Sequence, residues 1–386
     1  MGKSASYYFS GGRKVVHMRK IFASPARYIQ GKDELKHLAE HAKTLGKKPL
    51  ILISKGGIKR SAPIIEDSFK KEDMPYKLLP FGGESSKQEI AAIRKEYADA
   101  QCDMFIGIGG GKIFDSAKAA AYYENAPVII CPTVAASDAP CSALAVLYTP
   151  EGEFEEYLFL PHNPNIVLID EAIIAKSPVR MTVSGMGDAL ATYFEAETAI
   201  STNSDNFVGG KATLVARAVA RLCYETLLAY GPKAVKALQN GALTPAVSKI
   251  IEANTLMSGI GFESCGTGAA HSVHNGLTAL EPTHAFYHGE KVAFGVMTQL
   301  VLEDYDKDEI ETVAKFCISV GLPVCLADLN LDNPSRDDLM KVAELACAKG
   351  ETIHNGAVAV TPDDVVDAML AADEMGKMYK TVYTKI

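Results

Sequence analysis

One carboxylate and two imidazoles, Asp188, His271 and His288, are the side chains of this sequence best suited to hold a catalytic metal. Asp188 closes the run Gly185-Met186-Gly187-Asp188 and opens an Ala-rich stretch with helical spacing. His271 and His274 follow a Gly-rich turn, and His288 stands just before Gly289-Glu290-Lys291 at the start of another apolar run. Three such ligands leave a fourth position open, which a catalytic metal needs and a structural one does not. Singly, each has a plainer explanation: a helix N-cap or first-turn acid for Asp188, a satisfied core histidine for His271, a loop histidine for His288. Together they argue for a metal. His271, His274, His284 and His288 are four of the nine histidines, within eighteen residues and bracketed by glycines. His271 and His274 share a helix face at i,i+3, so they read either as two ligands or as a ligand and the partner that orients it.

A second centre lies upstream, at Ile106-Gly107-Ile108-Gly109-Gly110-Gly111-Lys112. Consecutive glycines after a strand let backbone N–H groups approach a phosphate, and the helix that follows offers its positive end. The spacing is neither G-x-G-x-x-G nor a Walker loop, since Ile113 follows the lysine. A tight turn without ligand is the plainer reading, and Lys112, a ready phosphate partner, speaks for the other. After the next apolar run comes Pro132-Thr133-Val134-Ala135-Ala136-Ser137-Asp138-Ala139-Pro140-Cys141-Ser142. It reads as a polar connection in which Asp138 bonds its own backbone, or as one wall of a cofactor cleft at the C-terminal edge of a sheet.

These centres need a frame. Short β-branched runs at 49–53, 104–108, 128–130 and 166–169 alternate with helical patterns at 34–43, 89–100 and 112–123, which predicts a parallel sheet covered by helices. Ser86 with Glu89 predicts a capping box. The sheet signal stops near Asp170. From Pro178 the chain is Ala- and Leu-rich with helix starts at Ser335 and at Thr361-Pro362. The expected class is α/β followed by all-α: residues 19–177 a dinucleotide-binding domain, residues 178–386 a helical metal-binding domain, with a ligand cleft between them. Residues 1–18 read as an extension, with Met18 a second candidate start.

Composition closes off other classes. The 386 residues are 48% apolar and 22% charged, ordinary for a globular protein. A net charge of −8 and no long basic block after the first twenty residues argue against a nucleic-acid partner. No apolar run approaches the roughly 20 residues of a membrane span. The eight cysteines form no C-x-x-C pair and read as reduced thiols of a cytoplasmic protein.

With those residues identified, the chain resembles the iron-containing (metal-dependent) alcohol and polyol dehydrogenase family. The likeness runs from Ser24-Pro25-Ala26-Arg27-Tyr28 nearly to the C-terminus, and includes Phe81-Gly82-Gly83-Glu84, Gly107 to Lys112, Ser137 to Leu144 and Phe262-Glu263-Ser264. Its most specific stretches are His271 to Leu280 and His288 to Ala293. The resemblance implies a dehydroquinate synthase-like fold, Rossmann-like in its first half. It implies a divalent metal on Asp188, His271 and His288, zinc by expectation with iron the alternative. It puts the pyrophosphate of NAD on Gly110, Gly111 and Lys112, lines the nicotinamide with Thr133, Ala136, Ser142, Leu144 and Tyr148, and brings Asp138 to the substrate hydroxyls. It implies oxidation of glycerol to dihydroxyacetone by a homo-oligomer, often an octamer. His274 or Asp138 would relay the released proton.

Two positions depart from the family pattern. Ser54 stands where an Asp usually holds the adenosine ribose, with Lys55, Lys59 and Arg60 nearby, which opens NADP as an alternative to NAD. Ala136 replaces a common Ser. The rival readings are a dehydrogenase for another short vicinal diol or a hydroxyketone, a dehydroquinate synthase-like lyase, and a non-catalytic binding protein.

Overall fold

The computed structural model describes residues 18–384, so the extension expected over 1–18 lies almost wholly outside the described residues. Eight strands are present: β1 (Arg27–Gly31), β2 (Pro49–Ile53), β3 (Lys77–Pro80), β4 (Met104–Gly109), β5 (Val128–Pro132), β6 (Leu144–Tyr148), β7 (Phe154–Phe159) and β8 (Ile166–Asp170). Six of them form one sheet in the order β1-β8-β5-β4-β2-β3, parallel at every pairing. β6 and β7 make a separate antiparallel hairpin. The side chains of β2, β4, β5 and β8 are buried throughout, as expected of parallel strands covered on both faces.

In the first half the helices are α1 (Leu38–Ala42), α2 (Lys55–Lys71), α3 (Lys87–Asp99) and α4 (Gly111–Glu124), followed by α5 (Glu171–Ile174). One sheet face packs on Leu35, Leu38, Ile65 and Phe69 from α1, α2 and the turn before them. The other packs on Ile90, Ile93, Phe114 and Ala117 from α3 and α4. The chain runs outward from β2 to β3 and the other way from β4 to β5, so the direction of winding reverses between β2 and β4. Ligands of open α/β sheets bind at such a reversal, beyond the carboxyl ends of the strands. Ser54 and Gly110 stand there.

No strand follows Asp170 among the described residues. The second half is α6 (Val179–Ser201), α7 (Leu214–Gln239), α8 (Pro245–Glu252), a π-helical turn (Ala253–Met257), α9 (Ser258–Cys265), α10 (Ala269–Leu277), α11 (His288–Leu302), α12 (Lys307–Val320), α13 (Arg336–Ala346) and α14 (Pro362–Tyr383). Ser335 and Thr361 cap α13 and α14 as expected, each accepting from the N–H three residues on, at about 1 kcal/mol per cap. The largest apolar core runs without a break from Leu50 and Phe105 of the sheet to Phe294 and Val342 of the helices. Among the described residues no helix is long and apolar enough to cross a membrane. All eight cysteines are free thiols, seven of them buried.

Several local expectations need correction. The helix expected over 34–43 is a 3₁₀ turn followed by the short α1. The capping box at Ser86 is half formed: Ser86 Oγ accepts from Glu89 N, but the Glu89 carboxylate accepts from Gly82 N, 2.7 Å away. Asp188 does not open its helix. α6 begins nine residues earlier, at Val179, and runs through Gly185 and Gly187. Those glycines are close-approach positions rather than breakers. A Cβ at Gly185 would fall 2.0 Å from Ala135 O, and one at Gly187 would fall 2.1 Å from Gly289 O. Only a helix without side chains at these points can lie directly against the 135 loop and the start of α11.

Candidate active site

Asp188 lies in the middle of α6 and is 1% exposed. His271 is the third residue of α10, and His288 the first of α11. The two Nε2 atoms converge on one oxygen: His271 lies 3.2 Å and His288 3.0 Å from Asp188 Oδ1. One donor atom from each residue lies within 4.8 Å of the others, the one such trio of potential ligands among the described residues. Burial favours the neutral carboxyl of Asp188, but the His288 and His271 imidazoles outweigh it and pull the group well below the ordinary carboxylate range.

The supports of this trio are built into the helices. Glu195, two turns along α6 from Asp188 and fully buried, accepts from His271 N at 2.9 Å and lies 2.6 Å from His271 Nδ1. That carboxylate holds the Nδ1 proton and leaves Nε2 free to ligate. Burial alone would depress the His271 value; Glu195 and Asp188 outweigh it and raise the imidazole well above 6.5. At the start of α11, Glu290 caps Tyr287 N at 2.7 Å, and Arg180 of α6 clamps the same carboxylate at 2.6 and 2.8 Å. The first turn that carries His288 is thereby tied to the helix that carries Asp188. His274 is buried behind His288, its Nε2 at 3.0 Å from His288 Nδ1. Neither reading of His271 and His274 as a pair describes the arrangement: His274 faces His288 rather than His271, and the group beside His271 Nδ1 is Glu195. His284 lies outside the cluster, exposed and bonded to Thr278 O. Sequence proximity overcounted it.

The polar connection after β5 lies over this trio. Asp138 N donates to Asp188 Oδ2 at 3.2 Å, and Ser258 Oγ donates to Asp138 Oδ2 at 3.1 Å. Burial first, and the adjacent Asp188 second, hold the Asp138 carboxyl well above the ordinary range. Three buried groups fix the loop, and sequence reading missed all of them. Asn254, in the π-helical turn, donates to Ala135 O and Thr182 O, both at 2.9 Å; such turns often mark functional positions. Glu263 accepts from Ala143 N and from Asn163. Lys118 of α4, 2% exposed, bonds Ala139 O at 3.0 Å and Leu144 O, and pairs with Asp115 at 3.2 Å. Glu195 alone had a readable signal, its i,i+7 spacing from Asp188.

The residues expected to hold a dinucleotide gather at the sheet's carboxyl edge. Gly110 caps α4 and Gly111 is its first residue; a Cβ on Gly111 would meet nothing within 4 Å. No protein atom demands glycine there, so the open space suits the close approach of a phosphate to backbone. Thr133 leaves β5 with its N–H and hydroxyl on Gly109 O. Ala136 is partly exposed in the loop, Ser142 is buried with its hydroxyl on Ala139 O, and Leu144 and Tyr148 begin and end β6. Burial, then Asp115, push the Tyr148 phenol up to about 12. Two placements differ from a ready-made cofactor grip. Lys112 extends to Glu84, 2.5 Å away, and over the Tyr148 ring. Ser54 caps α2, its Oγ accepting from Gly57 N at 3.0 Å. A concavity of about 590 Å³ bounded by Arg180, Phe286, Leu322 and Lys380 contains none of the expected site residues. Its two cations are already paired with Glu290 and Asp328.

Known proteins resemble this chain over nearly its whole length. Residues 25–171 match the iron-containing alcohol dehydrogenase family. A glycerol dehydrogenase of Escherichia coli is 49% identical over 362 residues, 94% of this chain and 99% of that one. A glycolaldehyde reductase of Halobacterium salinarum is 43% identical over 360 residues, 93% of this chain and 99% of that protein. The crystal structure of glycerol dehydrogenase from Schizosaccharomyces pombe superposes with a TM-score of 0.91 at 40% identity, covering 94% of this chain and 93% of that one. With likeness of that extent on both sequence and structure, the chain belongs to the iron-containing alcohol dehydrogenase family.

Proposed function

We propose that this protein oxidises glycerol to dihydroxyacetone, reversibly, with a nicotinamide dinucleotide as hydride acceptor and a divalent metal, zinc by preference over iron, held by Asp188, His271 and His288. The observation that carries the reading is the convergence of those three side chains directly beneath the loop that bears Asp138. The donor set of one carboxylate and two imidazoles, each imidazole backed by a further polar side chain, suits a borderline-soft ion with a position left open. Such an ion, when bound, supplies Lewis acidity that lowers the pKa of an alcohol, and the dinucleotide supplies the hydride acceptor.

What the chain itself contributes is placement and proton handling. Asp138 hangs over the metal ligands with its backbone fixed by Asp188 and one carboxylate oxygen fixed by Ser258. Set between Asp188 and Ser258 and over the proposed metal ligands, it is our choice for binding the substrate hydroxyls and relaying the released proton. His274 is less suited to that relay, because Nδ1 faces Asn275 and Nε2 faces His288. We assign the open turn at Gly110 and Gly111 to the pyrophosphate, with Lys112 turning from Glu84 toward it. Thr133, Ala136, Ser142, Leu144 and Tyr148 would border the nicotinamide. Ser54 Oγ, already an acceptor for Gly57, keeps its own proton to donate to the ribose, so NAD stays our preferred cofactor, with NADP open because no carboxylate repels its phosphate. On this reading residues 19–177 form the dinucleotide domain and 178–386 the metal domain of a cytoplasmic homo-oligomer.

One observation favours a second substrate, a glycolaldehyde-like hydroxyaldehyde: the similarity to the Halobacterium reductase. The deciding experiment is steady-state turnover of metal-stripped, zinc-reconstituted protein with glycerol, NAD and NADP side by side. Zinc-dependent reduction of NAD is the expected result. Zinc-dependent turnover confined to glycolaldehyde would replace glycerol as substrate, and zinc-independent turnover would remove the metal from the mechanism.

A further inference from the structure

Behind His288 runs a line of polar side chains that reaches away from the proposed metal ligands. His288 Nδ1 lies 3.0 Å from His274 Nε2, and His274 Nδ1 lies 3.0 Å from Asn275 Oδ1. Asn275 Nδ2 then donates to both oxygens of Glu351, at 3.2 and 3.1 Å. The direction of every bond in this line is forced from one end. To offer a lone pair on Nε2, His288 must carry its proton on Nδ1 and donate it. His274 Nε2 must therefore accept, which puts the His274 proton on Nδ1. Asn275 must meet that proton with Oδ1, so its NH₂ group points outward. Only an acceptor can satisfy it there, and a carboxylate accepts without being able to donate.

We propose that Glu351, acting through Asn275 and His274, is the positioning residue that holds His288 in the tautomer able to bind metal. The inference rests on the metal reading above. It makes the two imidazoles symmetrical in principle: His271 is oriented by a carboxylate directly, through Glu195, and His288 by a carboxylate two residues removed. Glu351 is itself set by backbone rather than by its own side chain. Thr352 Oγ1 donates to Gly268 O and Ile353 N donates to Ser272 Oγ, which pins the segment to the first turn of α10. Tyr157 of β7 neighbours Asn275 and Glu351 as well, but a hydroxyl can donate or accept and imposes no direction.

Two substitutions in the full-length protein separate direction from mere contact. Glu351→Gln can still present a carbonyl oxygen to Asn275. Glu351→Lys can only donate, so Asn275 must turn its oxygen outward and its NH₂ toward His274, and the proton pattern reverses down the line to His288. Zinc dissociation constants, read by competition with a chromogenic chelator, should match wild type within about threefold for Gln and weaken roughly 10- to 100-fold for Lys. In the metal-free proteins, where no ion dictates the His288 tautomer, ¹⁵N imidazole spectra should show His274 protonated on Nδ1 in wild type and Gln, and on Nε2 in Lys. If the lysine variant does not fold, Glu351→Ala, which leaves the amide free to turn, must show both His274 tautomers. Wild-type affinity in the lysine variant would overturn the proposal, as would weakened affinity with the His274 tautomer unchanged, because charge alone would then account for the loss. A wild-type protein that binds no zinc would overturn the metal reading and this inference with it.

Discussion

The two ends of the cleft are built by different means. The proposed metal ligands sit on α6, α10 and α11, where buried side chains from those same helices, or Arg180 and Glu290 between them, hold their surroundings. The dinucleotide end is built from strand ends and one long connection, and several of its side chains are already engaged within the protein: Lys112 with Glu84, Ser54 with Gly57. The metal end is pre-organised, whereas the dinucleotide end offers backbone and space and must exchange internal partners for the ligand. Rigid helices can aim a donor to a few tenths of an ångström, which metal coordination demands. A phosphate asks less, since N–H groups at a helix terminus accommodate it over a wider range.

Removing a metal ligand is the most severe way to break this contrast. Asp188→Asn or His271→Ala should lower turnover by roughly three orders of magnitude or more, since the Lewis acid's several kcal/mol disappear with the ion. Circular dichroism should show the fold retained. The connection between the two ends comes next. Lys118→Met leaves Asp115 buried without its cation and frees the carbonyls of Ala139 and Leu144, so denaturant unfolding should report a loss of about 3–5 kcal/mol. Glu195→Gln, which keeps the shape but weakens the grip on His271 Nδ1, should weaken zinc binding about 10- to 100-fold in a chelator competition. At the dinucleotide end, a single partner swap should do less. Ser54→Asp restores the carboxylate that repels a 2′-phosphate, and the ratio of kcat/KM for NAD over NADP should rise about tenfold, or 1.4 kcal/mol.

The smallest effect is a pH dependence. The raised value of His271 in metal-free protein contributes stability that is complete below the unfolded imidazole value of about 6.5 and is lost as pH rises through the folded value. The Tm of stripped protein should therefore fall by roughly a few degrees on going alkaline. Zinc requires neutral imidazoles, so the loaded protein should lack that fall and should bind zinc more tightly as pH rises.

Much of the frame was readable because burial leaves a pattern. The strands at 49–53, 104–109, 128–132 and 166–170 are fully buried and wholly or mostly apolar, so they stand out. β3 and β7 are largely exposed and carry no such run. The convergence of Asp188, His271 and His288 was readable because histidine is rare and its glycine-rich surroundings are distinctive. Its supports were not. Glu263, Asn254 and Lys118 are single polar residues in apolar helices, and their partners lie 120, 119 and 21 positions away. Local pattern carries no trace of a bond that spans such a distance. The start of α6 was misread for a related reason: Gly185 and Gly187 look like breakers until the backbones they admit, Ala135 and Gly289, are in view.

Every role proposed for the cleft depends on a metal at Asp188, His271 and His288. Metal analysis and zinc titration of purified protein, wild type beside Asp188→Asn, test it most directly. One tightly bound zinc per wild-type chain, absent from a folded Asp188→Asn variant, is the predicted result. Equal zinc content in the two proteins, or none in the wild type, would contradict it.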